Sequence, residues 1–263
     1  MEQMICVSEL SYSGRQGAPL KGLSFSIEKG GIHGILSPTG VEASTLLAIL
    51  AGAISPSVGT FTVNASNRAD AWKRAIGYVP KYPEAYRDMT VYEFLDFVGE
   101  ARGVSSELRL RQIEEALELV GLSEKDRRLF ARLSAVEKKK ASIAAALLGN
   151  PSILLIDTPI PSETSAAEKR DVENLIRMLG KLKTVILAEK DLSILRELCS
   201  DVILLSMGEL LAQGSFSELE EKLSRSEAPS SLEELYASLV SLAKEAELEK
   251  RSLLSEPLGK EKS

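Results

Sequence analysis

The sequence predicts an α/β fold: a mainly parallel β-sheet with helices on both faces, an antiparallel β portion at the N-terminal end and an inserted helical subdomain. Three observations carry that prediction. The runs GIHGIL (31–36), SILLID (152–157) and TVILAE (184–189) are almost continuously apolar, as strands covered on both faces must be. Helix-spaced segments alternate with such runs, which is the pattern of a parallel sheet. Between Thr90 and about Asn150, apolar residues recur only at helical spacing, which marks the insertion.

Taken in order, MICVSEL (4–10) and LSFSIEKG (23–30) are strand-like, with a Gly- and Pro-containing loop between them. GIHGILS is a third strand, and Ser44–Leu50 reads as a buried helix closed at Ala51-Gly52. TFTVN (60–64) alternates as a strand does, and AIGYVP (75–80) is a strand stopped by Pro80. The insertion follows as TVYEFLDFVGEARG, SSELRLRQIEEALELVGL and VEKKKASIAAALLGN. After SILLID come a polar helix over 166–179, the strand TVILAE, a short helix DLSILRELC, and paired strands DVILLS and ELLAQG joined at Met207-Gly208. A helix SELEEKLS precedes a break at SEAPSS (226–231). The last helix places Leu232, Leu235, Tyr236, Leu239 and Ala243 on one face, and the tail beyond about Glu249 is polar enough to fray. The expected division is a core of 1–89 and 151–225, a helical subdomain of 90–150, and a C-terminal helix and tail over 226–263.

Composition sets the class. With 263 residues, 44% hydrophobic and 27% charged, the chain has the make-up of a globular protein. A formal net charge of −6 argues against nucleic acid as a partner. Cys6 and Cys199 match no metal-ligand spacing and are expected in the core of a reduced, cytosolic protein. There is no signal-peptide pattern and no apolar run near the roughly 18 residues of a membrane span, so a membrane is expected to be met only through a partner. The single histidine, His33, falls inside a strand and reads as a core residue rather than a catalyst.

One stretch raises a chemical question. SPTGVEAST (37–45) sits between a strand and a helix, where a phosphate-binding loop belongs, yet it carries a glutamate and an alanine where a glycine and a lysine would serve phosphate. Together with LKGLSFSIEKG, STLLAILAG, IGYVPKYPEAYRDMTVYEFLDF, AAALLGNPSILLID and DVILLSMGELLAQGS, this stretch resembles the nucleotide-binding subunit of an ABC transporter. The resemblance runs in order over roughly residues 1–240 and implies a P-loop NTPase-like fold. PEAYRDMTVYEF is most similar to ATPase subunits of exporters with separate membrane subunits.

Set against the family pattern GxxGxGK[ST], the loop is Ser37, Pro38, Thr39, Gly40, Val41, Glu42, Ala43, Ser44 and Thr45. Gly40 and Ser44 match; the first glycine, last glycine and lysine do not. Removing a cation and adding an anion at ~5 Å from the phosphates costs about 3 kcal/mol each at an effective dielectric near 20. Together that is on the order of ten-thousandfold in affinity. The resemblance further implies that Lys81 stands for the Q-loop glutamine and LSAVE for the LSGGQ signature. Ser134 is retained, while Ala135 and Val136 put side chains where the family has glycines. Asp157 matches the magnesium-side carboxylate, in a vestigial metal role or a structural one. Thr158 replaces the glutamate that polarises water, PSET (161–164) replaces the SGLD of the D-loop, and Lys190 replaces the switch histidine. Tyr12 matches the aromatic that stacks on adenine, or is a packed aromatic.

Phosphoryl transfer depends on positioned charge, and these replacements remove it. The expectation is a non-hydrolysing ABC homologue, a pseudo-ATPase, with no catalytic residues and no required cofactor, or Mg-ATP held only weakly. The expected partners are a membrane subunit and a second ABC ATPase subunit or another copy, at the cytoplasmic side of the cell membrane. The alternatives are a weak nucleotide-binding regulatory module and an atypical active ATPase. Lys138–Lys140 reads as a solvated helix face. Lys81 and Lys190 either point to solvent or pair with Glu42 or Asp157.

Overall fold

The computed structural model describes residues 2–86, 88–224 and 231–255. In chain order the strands are β1 (Gln3–Tyr12), β2 (Leu20–Glu28), β3 (Ile32–Leu36), β4 (Val58–Val63), β5 (Ile76–Val79), β6 (Ile153–Asp157), β7 (Thr184–Glu189), β8 (Asp201–Ser206) and β9 (Glu209–Ser215). They form two sheets. A three-stranded antiparallel sheet has the order β2-β1-β4, and a six-stranded sheet has the order β5-β6-β7-β3-β8-β9. The latter is parallel from β5 to β8, with β9 antiparallel at the edge.

Helix α1 (Val41–Leu50) lies between the sheets, which is why Leu46, Leu47, Ile49 and Leu50 are all fully buried. Side-chain alternation then sorts the large sheet. Ile153 and Leu155 of β6 join α1 and the small sheet in one core, whereas Leu154 and Ile156 join the helices of the opposite face. A short helix α2 (Ala69–Ala75) precedes β5. Between β5 and β6 run α3 (Val91–Ala101), α4 (Ser106–Leu119) and α5 (Ala135–Leu147); α6 (Ala166–Leu182), α7 (Leu192–Leu198), α8 (Phe216–Ser224) and α9 (Leu232–Ser255) follow. Capping boxes at Thr90/Glu93, Ser134/Glu137 and Ser165/Glu168 fix the starts of α3, α5 and α6.

Two glycines permit close approach. A Cβ on Gly77 of β5 would lie 2.2 Å from the Ala146 carbonyl of α5, so no other residue fits there without movement. Met207 and Gly208 both have positive φ, the two-residue turn that suits a twisted hairpin, and the Gly208 carbonyl accepts the Lys21 N–H.

Several boundaries differ from the sequence reading. α1 starts at Val41 rather than Ser44, because Gly40 at φ 75° turns the chain into the helix and the first turn carries Glu42 and Ala43. α9 continues to Ser255, past the point where the polar sequence suggested fraying. Of the break at SEAPSS, all but Ser231 lies outside the described residues. Cys199 is buried, but Cys6 is only half-buried, because its strand alternates and its thiol reaches Gln3 Oε1.

His33 is a core residue, 4% exposed on β3. Its Nδ1 lies 2.9 and 3.0 Å from the two Asp201 carboxylate oxygens, and its Nε2 lies 2.7 Å from the Gly30 carbonyl. Acceptors on both sides call for a proton on both nitrogens. Burial alone would lower the pKa; the Asp201 hydrogen bond and charge, with backbone carbonyls, bring it above 6.5. The contribution to stability is therefore full below about 6.5 and lost as pH rises through the folded value, by at most about 1.4 kcal/mol per unit. His33→Gln should flatten urea-unfolding stability between pH 6 and 8; an unchanged pH slope would refute the imidazolium.

Candidate functional site

The loop from β3 into α1 is closed on itself. The Gly40 N–H donates to the Ser37 carbonyl (3.0 Å), Val41 N–H to Thr39 Oγ1 (3.1 Å), Ala43 N–H to Ser37 Oγ (3.3 Å) and Ser44 N–H to the Gly40 carbonyl (3.0 Å). Thr39 Oγ1 in turn donates to Glu42 Oε2 at 2.7 Å, and Glu42 is 8% exposed. A loop of this shape can cradle an anion when its N–H groups point outward. Here four of them have partners inside the protein. Ser44 and Asp157 stand together, with Ser44 Oγ donating to Asp157 Oδ1 at 2.9 Å. Thr45 Oγ1 donates to the Val41 carbonyl and accepts the Ala18 N–H, which fastens the β1–β2 loop onto α1.

Behind the loop lies a cluster of buried charge at the carboxyl ends of β6 and β7. Asp157 is 3% and Glu189 4% exposed. Burial raises the pKa of Asp157 against the pull of Ser44, Thr158 and the cations Lys139 and Lys81. The cation inside is Lys139 of α5, whose Nζ donates to the carbonyls of Pro80, Lys81 and Asp157. Lys138–Lys140 is thus not a solvated face throughout: helical rotation turns its middle member inward to 1% exposure. Neither Lys81 nor Lys190 closes a salt bridge with Glu42 or Asp157 among the described residues. Lys190 is exposed, and Lys81 is half-buried with Nζ 5.6 Å from the centre of the Tyr82 ring.

Glu189 Oε1 accepts the N–H groups of Lys190 and Asp191, while its buried Oε2 has no partner. Burial foremost, with the charges of Asp191 and Asp157, raises its pKa above 4.5 despite those two bonds. Ionisation therefore weakens the native state progressively as pH rises from the ordinary value to the raised one, with the full penalty above it and none below the ordinary value. Glu189→Gln should stabilise the protein by about 1 kcal/mol at neutral pH and do nothing near pH 4. Equal effects at both pH values, read by thermal unfolding, would disprove this. Tyr236 of α9 closes the same corner, its hydroxyl lying 3.1 Å from the Ser37 carbonyl and 2.5 Å from that of Lys190.

Residues 20–161 match the family model described as ABC transporter. The ABC transporter ATP-binding protein YxlF of Bacillus subtilis is 32% identical over 219 residues, which are 83% of this chain and 73% of that protein. The chain belongs to the ABC transporter family. An ABC transporter ATP-binding protein of Nostoc is 30% identical over 203 residues, 76% of this chain and 61% of the relative. A solved ATP-binding subunit of an ABC transporter shares the fold at a TM-score of 0.76 and 22% identity, over 90% of this chain and 99% of that one. Among the described residues no helix is long and apolar enough to cross a membrane.

The remaining ABC motif positions fall as follows. Tyr12 is buried to 6% exposure, and its hydroxyl accepts the Gln16 N–H. At the signature, Ser134 caps α5 through Glu137, and Ala135 is exposed. Val136 turns into the core rather than standing on the surface. Thr158 takes φ 49°, a strained conformation for a β-branched residue, with its hydroxyl on Asp157 Oδ1. In PSET, Thr164 Oγ1 donates to the Pro161 carbonyl. Lys139, Glu189 and Tyr236 were missed from sequence. A buried turn of α5 in the phase of Val136 and Ile143 was the one available signal for Lys139.

Proposed function

We propose that this ABC homologue is a pseudo-ATPase, a non-hydrolysing structural or regulatory subunit of a membrane transport complex. The observation that carries the reading is the closed loop: the N–H groups of Gly40, Val41, Ala43 and Ser44 are committed inside the protein, beside a buried Glu42 and with Ala43 where the family has its lysine. Such a loop does not fit a polyphosphate, and no catalytic step is assigned to it. The Ser44–Asp157 pair keeps the magnesium-side groups, but they satisfy each other.

In this reading the core spans 1–89 and 151–225, 90–150 is the helical subdomain, and 226–263 supplies a C-terminal helix and tail. A groove of about 1190 Å³, lined in part by Tyr78, Arg74, Phe94, Val98, Arg102 and Leu108, receives a cytoplasmic segment of the membrane subunit. Tyr82, Tyr86 and Phe97 are exposed large apolar side chains on α3 and the segment before it. A second ABC ATPase subunit, or another copy of this chain, completes the assembly at the inner membrane face; a related fold is known as a dimeric cassette bound to ADP and Pi. Titration calorimetry of the native chain with Mg-ATP tests the proposal. No binding heat is the expected result. Micromolar binding without turnover would replace this reading with the nucleotide-responsive regulatory module.

A further inference from the structure

One buried side chain outside the groove's lining ties together two of the segments that form its walls. Ser142, Ala145 and Ala146 of α5 form one wall, and Tyr78 and Pro80, at the exit of β5, form another. Lys139 comes one turn before Ser142 and sends its Nζ to the carbonyls of Pro80 (2.8 Å), Lys81 (3.0 Å) and Asp157 (2.9 Å). Three donated bonds require three N–H groups, so the amine is an ammonium ion. With all three donors committed to carbonyls, it is a fastener and not a ligand-binding group. Its charge also faces Asp157 and Glu189, two buried carboxylates that would otherwise have little cationic company.

The three carbonyls belong to the exit of β5 and the end of β6. The chain after Pro80 reaches α3 at Val91, and α3 is another wall of the groove. A phosphate-bound cation could bring such strand ends together only when ligand is present. A lysine does so without any ligand, at pH values below its own pKa, which burial brings down to about 8.

We propose that Lys139 is a built-in cation that sets the groove in one arrangement without nucleotide, making this a constitutive docking surface. The proposal rests on the docking reading above, but its test needs no partner. Amide hydrogen exchange of the full chain is compared with Lys139→Ala, in buffer, with propylammonium (the missing part of the side chain) and with 1-propanol as its neutral counterpart. The segment from Pro80 into α3 should exchange about tenfold faster or more in the variant, while β1 and β2 stay unchanged. Propylammonium should restore protection and 1-propanol should not. Unchanged exchange, or equal rescue by both compounds, overturns the proposal, the latter because it would make Lys139 mere packing.

Should the variant fail to fold, the native chain with ¹⁵N-labelled lysine is read by NMR. One slowly exchanging ammonium signal that disappears in Lys139→Arg is expected, and its absence overturns the assignment. The two readings fail separately. Mg-ATP binding to the native chain that leaves exchange after Pro80 unaltered removes the pseudo-ATPase reading alone. Binding that changes it removes both.

Discussion

Replacing Glu42 with glycine and Ala43 with lysine is expected to make the loop bind Mg-ATP far more tightly than the native loop does. Glu42 holds the Thr39 hydroxyl, and that hydroxyl holds the Val41 N–H, so removing the carboxylate loosens two links of the closed loop. The lysine would start from a position that is fully buried under the loop. From there its long stem can follow the backbone and bring the ammonium to the phosphates. Exchanging an anion for a neutral residue and adding a cation, each about 3 kcal/mol at ~5 Å, gives a gain on the order of ten-thousandfold. Turnover should not return, because Thr158, Lys81 and Lys190 still lack the water-polarising and positioning groups of the family. Calorimetry and phosphate release read the two halves separately. A folded double variant with no binding heat would move the block to the β1–β2 loop, where Ala18 occupies Thr45 Oγ1.

The second large effect is on stability. Lys139→Met keeps the apolar stem but strips three carbonyls of their donor and leaves Asp157 and Glu189 short of a buried cation. Breaking a buried, hydrogen-bonded charge arrangement on one side costs about 3–5 kcal/mol. For a chain of this size that lowers the melting temperature by roughly 6–20 °C. Urea unfolding of the variant measures it directly, and a loss below about 1 kcal/mol would mean that water replaces the ammonium.

These expectations also show what sequence could and could not convey. The parallel strands were legible because burial on both faces leaves an uninterrupted apolar run, as in SILLID and TVILAE. The loop was legible because Gly40 and Ser44 keep their spacing between strand and helix. Its internal closure was not, since Thr39 and Glu42 announce a turn and a charge without saying that they meet. Lys139 was misread because three lysines in a row look solvated, and only the rotation of α5 shows that the middle one points inward. Glu189 was read only as the last residue of the strand TVILAE, because nothing local shows that the end of that strand is buried. Tyr236 lies 199 residues from Ser37, and no local pattern could announce that contact.

The position of β3 has a consequence for the birth of the molecule. β1, β2, β4 and α1 are all synthesised by residue 63 and can assemble as a local unit. β3 is made among them, yet its two strand neighbours are β7 and β8, which begin at Thr184 and Asp201. At roughly 5–20 residues per second, β3, apolar but for His33, waits about ten to thirty seconds on the ribosome for its partners. During that interval its only cover is α1 and the small sheet on one side. The nascent chain is therefore most prone to aggregate between synthesis of α1 and emergence of β8, and a slower passage through the helical segment would prolong that exposure.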